Sequence, residues 1–265
     1  MSFFEVKDLS VGYGGRNILS RVSFSLGENR ILGLLGENGS GKTTLLKALC
    51  GILPYSGECL LRGAGLHRGK KKERAQSFSY VPQKSGLTVD ISVLDAVLMG
   101  KNKELGLLQF PDEPMKRQAR EMIGLVGLKG KADSDYRTLS EGQKQLCILA
   151  RALVSEPELL FLDEPESALD FRARYRTLDI VRSWADGGSR AAVIALHDPQ
   201  LALNCCDDLL LLKNGAASEV IRIRETPREK LEEELQRLYS SLSVAECCGR
   251  SGKKQFVVLR EEETE

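Results

Sequence analysis

The chain has 265 residues, of which 42% are hydrophobic, enough for one large core or for one domain with a small appendage. Its 38 basic residues balance 37 acidic ones, which argues against a global field that would attract nucleic acid. No apolar run approaches the ~18 residues that cross a bilayer, and the first ten residues lack the basic lead and apolar core of a signal peptide. We therefore expect a cytosolic protein unless a partner holds it at a membrane.

The first predicted elements are antiparallel strands. Apolar residues alternate with polar ones from Phe4 to Leu9 and again from Val22 to Leu26, and this period of two is typical of half-buried strands. The glycine-rich stretch VGYGG at 11–15 indicates a turn between them.

The pattern then changes to short continuous apolar runs. They lie at residues 31–35, 159–162, 191–196 and 209–212, and each ends at a polar or glycine-containing turn. Such runs are typical of strands buried on both faces, as in a parallel sheet covered by helices. The sequence therefore predicts an α/β fold.

Helices are predicted between these strands and near the C-terminus. Residues 90–135 have helical spacing, punctuated by Pro111 and Pro114. The segment 226–239 predicts a helix with Thr226 as N-cap and Pro227 as its first residue. A short strand, QFVVL, follows at 255–259.

Seven cysteines are spread along the chain, in an odd number and with two vicinal pairs. This is poor geometry for a disulfide framework, so we interpret them as reduced thiols. The pair Cys247 and Cys248 could bind a metal ion, although no histidine lies near it in the sequence.

A phosphate-binding loop is the first motif that carries chemistry. The stretch GENGSGKTT at 36–44 follows a buried strand and precedes a helix, the context that the pattern G-x-x-x-x-G-K-[ST] requires. Its glycines let backbone N–H groups turn toward phosphates, its lysine supplies a charge for the β- and γ-phosphates, and the following threonine supplies a hydroxyl for Mg²⁺. The predicted ATP-binding residues are Gly36, Glu37, Asn38, Gly39, Ser40, Gly41, Lys42, Thr43 and Thr44.

Two carboxylates end the apolar run at 159–162. Asp163 suits the holding of Mg²⁺, and Glu164 can polarise the water that attacks the γ-phosphate. A strand that ends in Asp-Glu is weak evidence alone, because acidic residues commonly cap helices, but it is strong evidence after a phosphate loop.

Further motifs occur in a fixed order: VGYGG, SYVPQ at 79–83, LSEGQ at 139–143, SALD at 167–170 and IALHD at 194–198. Together they resemble the nucleotide-binding domain of the ATP-binding-cassette (ABC) family over nearly the whole chain. The usual signature is LSGGQ, and Glu141 replaces its first glycine. The resemblance implies an α/β phosphate-loop cassette with a RecA-like core, an antiparallel β-subdomain and a helical signature subdomain. It also implies ATP and Mg²⁺ as ligands.

The resemblance assigns roles to residues outside the phosphate loop. Tyr13 would stack on adenine, Gln83 would sense Mg²⁺ and the attacking water, and His197 would sense the γ-phosphate. The catalytic residues are thus Glu164, His197 and Gln83, and the metal site is Thr43, Gln83 and Asp163. Ser140, Gly142 and Gln143 would face the ATP of a second copy in a head-to-tail dimer, with Asp170 in the contact loop between the copies.

The spacing of the motifs and the segment that follows SYVPQ indicate the class of cassette protein. Only 140 − 42 = 98 positions separate Lys42 from Ser140, with no sustained heptad, which excludes the coiled-coil chromosome type. The segment 90–106 resembles importers of iron chelates, haem and cobalamin. The resemblance implies a separate membrane permease. Because residues 84–135 join Gln83 to the signature serine, we expect the docking face for the permease on Gln83 and this segment, with Lys101 and Lys103 at its surface. The alternatives are a soluble ABC ATPase not coupled to transport, or an exporter.

The predicted organisation is a nucleotide-binding domain at 1–222, whose helical subdomain spans about 84–150. A C-terminal helix with short strands follows at 223–265. We expect the protein at the cytoplasmic face of the membrane as a peripheral subunit. A periplasmic or extracellular binding protein would act with it indirectly, and no nucleic acid is expected as a partner.

Overall fold

The computed structural model describes residues 2–14, 16–67, 77–84, 87, 90–106, 109–250, 252 and 254–261. The chain divides into two compact units. The first unit comprises residues 1–65 and 193–265, and the second comprises residues 66–192.

The first unit begins with an antiparallel sheet, as the alternating pattern predicts. Its strands are β1 (Phe4–Tyr13), β2 (Arg16–Leu26), β4 (Ser56–Leu61) and β5 (Ala64–Gly65), in the order β2-β1-β4-β5. The side chain of Phe4 packs edge-on against Phe24, with ring centroids 5.9 Å apart. This cross-strand aromatic pair lies on the buried face of the sheet.

Parallel pairing follows in the same unit. Strand β3 (Arg30–Leu35) pairs in parallel with β9 (Asp208–Lys213), with Leu35 opposite Leu211. The carboxylate of Asp208 accepts two bonds from the Arg30 guanidinium, at 2.6 and 2.7 Å, and these tie the starts of the two strands together. Their carboxyl ends therefore lie side by side. The short strands β10 (Ala216–Ala217) and β11 (Ile221–Arg222) both run antiparallel to β9.

The helices of the first unit flank these strands. They are α1 (Lys42–Leu49), α6 (Pro199–Cys205) and α7 (Arg228–Gln236), and the hairpin β12 (Leu242–Cys248) and β13 (Lys254–Arg260) follows α7. The prediction of Thr226 as N-cap is wrong, because Pro227 occupies that position and the helix begins at Arg228.

The second unit contains parallel strands and a helical cluster. Strand β6 (Phe78–Val81) pairs in parallel with β7 (Leu159–Asp163), all of whose residues are buried. Helices α2 (Val93–Leu98), α3 (Glu113–Leu125) and α4 (Glu141–Leu153) pack on one another, and α5 spans Phe171–Asp186. Strand β8 (Ala191–Ala195) carries the chain back into the first unit.

Helix α3 shows how local sequence sets an element's bounds. The side chain of Asp112 accepts a hydrogen bond from the Met115 N–H, and Pro114 lies in the first turn, where a missing N–H costs nothing. Pro114 therefore starts this helix rather than interrupting it.

No helix in the described part of the chain is long and apolar enough to cross a membrane. The exposed thiols of Cys247 and Cys248 occupy neighbouring positions of β12, where successive side chains point to opposite faces. No group of three or more histidine, cysteine or acidic side chains that could hold a metal ion occurs among the described residues.

Candidate active site

The phosphate loop runs from the end of β3 to the start of α1, as predicted. Gly41 is the N-cap of α1 and has a φ of 107°, a left-handed conformation that favours glycine. The ammonium of Lys42 is buried and donates to the Gly36 carbonyl at 2.6 Å and to the Glu37 carbonyl at 3.3 Å. These bonds hold the lysine across the mouth of the loop, so its charge lies where phosphate oxygens would need it.

Gly36 is required by packing. A Cβ placed on it would lie 2.5 Å from the Leu212 carbonyl oxygen at the end of β9 and would also collide with the Ser40 hydroxyl. The Ser40 hydroxyl is itself buried and has no hydrogen-bond partner among the described residues. A buried hydroxyl of this kind is a ready donor or acceptor for a ligand in the loop.

The other members of the loop differ in exposure. Glu37 and Asn38 are exposed, and Thr43 and Thr44 in the first turn of α1 are half-buried. Tyr13 is the last residue of β1, and its side chain lies outside the described part of the structure.

His197 lies at the same edge of the first unit. The Leu196 N–H, next to the end of β8, donates to the Leu34 carbonyl at 3.0 Å, which places the end of β8 beside the end of β3. His197 follows with an exposed side chain. The structure thus brings the predicted γ-phosphate sensor to the strand edge from which the phosphate loop starts.

The second unit carries the predicted carboxylates at the end of β7. Asp163 is 2% exposed and accepts a hydrogen bond from the Tyr80 hydroxyl at 3.1 Å. Glu164 is 6% exposed and has a φ of 50°, which a non-glycine residue adopts at a cost of about 1–3 kcal/mol. This turn directs the chain away from the strand directly after the acidic pair.

Gln83 and Glu164, both predicted to be catalytic, are in direct contact. The Gln83 amide Nε2 donates to Glu164 Oε2 in a short hydrogen bond. Gln83 itself is exposed. The amide therefore fixes the orientation of the predicted base from the solvent side.

Gln145 is a residue of this site that the sequence reasoning missed. Its side chain is 4% exposed on α4, and its Nε2 donates to the Pro82 carbonyl at 3.0 Å. Because Pro82 precedes Gln83, the signature helix is tied to the loop that holds Glu164. Gln145 lies just beyond the signature in the run LSEGQKQ, but only the contact shows what it does.

The signature serine starts α4 with a capping box. The Ser140 hydroxyl accepts from the Gln143 N–H at 3.3 Å, and the Gln143 side chain accepts from the Ser140 N–H at 3.2 Å. The helix begins at Glu141, so Gly142 and Gln143 belong to its first turn. The helix dipole and the N–H groups of the first turn make this helix start suitable for an anion.

Gly142 packs closely on the SALD loop. A Cβ placed on it would lie 3.0 Å from the Ala168 carbonyl oxygen and 3.2 Å from Leu169 Cδ2. Asp170, the predicted contact residue between copies, caps α5 by accepting from the Ala173 N–H at 2.8 Å. Whatever else it does, Asp170 has this structural role.

The expectation of two surface lysines in the docking segment is wrong for Lys101. Lys101 is only 3% exposed, and its ammonium pairs with the Glu104 carboxylate at 2.9 Å. Lys103 is half-buried, and burial lowers the pKa of its ammonium group. Gly100, just before Lys101, lies against α4, where a Cβ would come 2.7 Å from Val154 Cγ1.

Comparison with known proteins agrees with this geometry. The ABC transporter family model matches residues 19–167, more than half of the chain. The chain is 35% identical over 212 residues to the probable iron chelatin transport ATP-binding protein of Helicobacter pylori, covering 79% of this chain and 83% of that protein. It is 36% identical over 237 residues to the hemin import ATP-binding protein HmuV of Pseudomonas entomophila, covering 86% and 88% of the two chains.

A solved structure shares the fold over nearly the full length. It belongs to a transporter assigned to the metal-chelate type of ABC transporter, in an inward-facing conformation. The TM-score is 0.82 at 28% identity, and 98% of each chain is covered. With a phosphate loop, an Asp-Glu strand end and a capped signature helix, the chain belongs to the ABC transporter family and is one of its ATP-hydrolysing subunits.

Proposed function

We propose that this ATPase powers the import of an iron chelate, haem or cobalamin, at the cytoplasmic face of the membrane and bound to a separate permease. The observation that carries the cargo class is the similarity, over most of the chain, to proteins named for iron chelatin transport and hemin import. A periplasmic or extracellular binding protein would deliver the cargo to the permease.

The proposed nucleotide site combines the phosphate loop with the acidic strand end. Lys42 and the backbone N–H groups of the loop bind the phosphates, and Tyr13 stacks on the adenine ring. Thr43, Asp163 and Gln83 would hold Mg²⁺, since hydroxyl, carboxylate and amide oxygens are its preferred donors. The position of Asp163 at the end of β7 supports this assignment, because a strand-end aspartate is the group that holds Mg²⁺ in phosphate-loop enzymes. Bound there, Mg²⁺ would neutralise charge on the β- and γ-phosphates.

The proposed hydrolysis uses Glu164 as general base. A water molecule attacks the γ-phosphorus atom while Glu164 takes its proton, the bond from that phosphorus to the bridging oxygen breaks, and ADP and phosphate leave. The short bond from Gln83 supports this role, because it holds the carboxylate in one orientation. His197 would contact the γ-phosphate.

We further propose a head-to-tail dimer that closes on two ATP molecules. The signature of one copy, with Ser140, Gly142 and Gln143 at the start of α4, would bind the γ-phosphate held by the other copy. Asp170 would lie in the contact between copies. Hydrolysis would reopen the dimer and reset the permease, which can be driven only if it binds the open and closed forms with different affinity.

The proposed docking face for the permease is Gln83 with the helical segment 84–135. The bond from Gln145 to the Pro82 carbonyl supports it, since a push on this face would reach both Gln83 and the signature helix. Because Lys101 is buried, a charge-reversal test of this face should use an exposed position of the segment, such as Glu121.

The direct test of the chemistry is Glu164→Gln. Because the amide cannot take a proton, ATP turnover should fall by about a hundredfold or more while ATP binding persists. The variant should also trap an ATP-dependent dimer that gel filtration detects. Glu121→Gln, at an exposed carboxylate on α3, is the matched control and should hydrolyse ATP normally. Near-normal turnover in Glu164→Gln would remove this residue from the role of base.

The cargo class is tested by deletion of the gene in its host. Growth on a chelated iron, haem or corrinoid source should be impaired, with growth on simpler nutrients unaffected. Normal uptake of all three would refute the cargo class but leave the ATPase chemistry untouched.

A further inference from the structure

The C-terminal part of the first unit makes a set of contacts for which nothing above gives a purpose. We call α7, β12 and β13 the C-terminal module. Its hairpin pairs in register from Leu242 opposite Arg260 to Cys248 opposite Lys254, and α7 packs on β12. The other strand of the hairpin, β13, packs on α6.

Asn204 of α6 fastens this second contact at two points. Its Nδ2 donates to the Phe256 carbonyl at 2.8 Å, and its Oδ1 accepts from the Phe256 N–H at 2.9 Å. One turn earlier, the Gln200 side chain accepts from the Val258 N–H at 3.2 Å. The two amides thus satisfy three backbone groups of β13 as a neighbouring strand would.

Helix α6 is the element that follows His197. It begins at Pro199, and its N-cap Asp198 accepts from the N–H groups of Gln200 and Leu201, at 2.8 and 3.3 Å. His197 is therefore the residue before a capped helix start. A shift or rotation of α6 must move the backbone of His197 with it.

The module also reaches the phosphate loop side of the unit. Lys213 donates to the Arg237 carbonyl just after α7, and Lys213 follows Leu212, whose carbonyl oxygen abuts Gly36. Burial raises the pKa of Tyr239, and the carboxylates of Asp198 and Glu37 raise it further. The end of α7 is thus bonded next to the strand end that abuts the phosphate loop.

We propose that strand β13 of the C-terminal module positions His197 for ATP hydrolysis, with Asn204 and Gln200 as the positioning residues. This inference rests on the proposed role of His197 at the γ-phosphate. Fastened to β13, α6 holds the imidazole where a γ-phosphate can meet it. Without the bonds to β13, α6 can shift and carry His197 away from the γ-phosphate, while the phosphate loop stays intact.

The test uses Asn204→Leu in the full-length chain, which removes both bonds to Phe256 at similar side-chain size. Because kcat should depend on His197 but ADP lacks a γ-phosphate, kcat should fall about tenfold while the affinity for ADP stays unchanged. Gln200→Leu removes one longer bond and should lower kcat about threefold, which keeps the test usable should Asn204→Leu fold poorly.

The matched control is Glu232→Leu. Glu232 on α7 accepts from the Val244 N–H at 2.7 Å, so this change removes a side-chain bond to the same hairpin but on the side away from α6. It should lower the melting temperature much as Asn204→Leu does, with kcat unchanged. An equal fall of kcat in both variants would mean that general loosening is the cause and would overturn the proposal.

Two further variants separate this inference from the proposed role of His197. His197→Ala should lower kcat at least as much as Asn204→Leu, and the double variant should be no slower than His197→Ala alone, because both act through one side chain. A normal kcat in His197→Ala would refute the role of His197 itself. A low kcat in His197→Ala with a normal kcat in Asn204→Leu and Gln200→Leu would refute only the positioning role.

Discussion

Gln145→Leu tests most directly whether helix α4 holds the loop that carries Gln83 in place. The change keeps the side-chain volume on α4 but removes the donor that the Pro82 carbonyl accepts from at 3.0 Å. Gln145 is only 4% exposed and Pro82 is half-buried, so water can replace the lost donor only in part. A carbonyl left without its donor in such a place costs about 1–3 kcal/mol. For a chain of this size each kcal/mol corresponds to about 2–4 °C in Tm, so Tm should fall by several degrees.

The same change should affect catalysis selectively. Without the bond, the loop that carries Gln83 is free to move, and Gln83 no longer holds Glu164 in one orientation. We expect kcat to fall about tenfold, the equivalent of ~1.4 kcal/mol, with the affinity for ADP unchanged because the phosphate loop is not touched. Steady-state phosphate release, ADP titration and a thermal melt measure the three quantities.

Thr177→Val is the matched control in the same unit. The Thr177 hydroxyl on α5 is buried at 2% exposure and has no hydrogen-bond partner among the described residues, so its replacement by a methyl group should leave kcat unchanged and raise Tm. A Gln145→Leu protein with a lowered Tm but a normal kcat would refute the proposed effect of Gln145 on catalysis. The bond from Gln145 to the Pro82 carbonyl would then contribute to stability alone.

Three other predictions concern the rest of the chain. Gly36→Ala should abolish ATP binding, as measured by equilibrium titration, because its Cβ would lie 2.5 Å from the Leu212 carbonyl oxygen. Retained affinity would mean that β9 shifts to make room for the Cβ. A mixture of Lys42→Ala and Ser140→Ala chains should hydrolyse ATP faster than either parent, since each mixed dimer keeps one intact site; an average of the two rates would argue against a shared site. Iodoacetamide at pH 8 should label the exposed Cys247 and Cys248 but spare Cys59 and Cys147, because burial raises the pKa of these thiols to about 11 and about 12, and mass spectrometry would reveal any exception.

The residues that sequence reasoning located are those whose roles depend on local spacing. The phosphate loop, the Asp163–Glu164 strand end and the signature each form from neighbouring residues in a fixed strand-loop-helix order, so their patterns predict their geometry. The Gln145 bond to Pro82 spans 63 positions and the Asn204 bonds to Phe256 span 52, and no local periodicity encodes contacts at such separations.

The errors have equally physical causes. Thr226 is a good N-cap residue by type, but the extended backbone of Pro227 takes that position and starts the helix one residue later. Lys101 was expected at the surface, but it is buried with its ammonium paired to Glu104, three residues on, and lysines are rarely fully buried without such a partner.

The contact of Gly142 with the SALD loop has a consequence for how this signature can change under selection. At residue 141 the side chain of Glu141 is 73% exposed in the single chain and pairs with Lys144 at 2.7 Å, so the position that departs from the family pattern has room for other side chains there. At residue 142 any added carbon meets the Ala168 carbonyl oxygen at 3.0 Å, and a backbone oxygen cannot rotate out of the way as a side chain can. We therefore expect substitutions to be tolerated at residue 141 and to be disfavoured at residue 142.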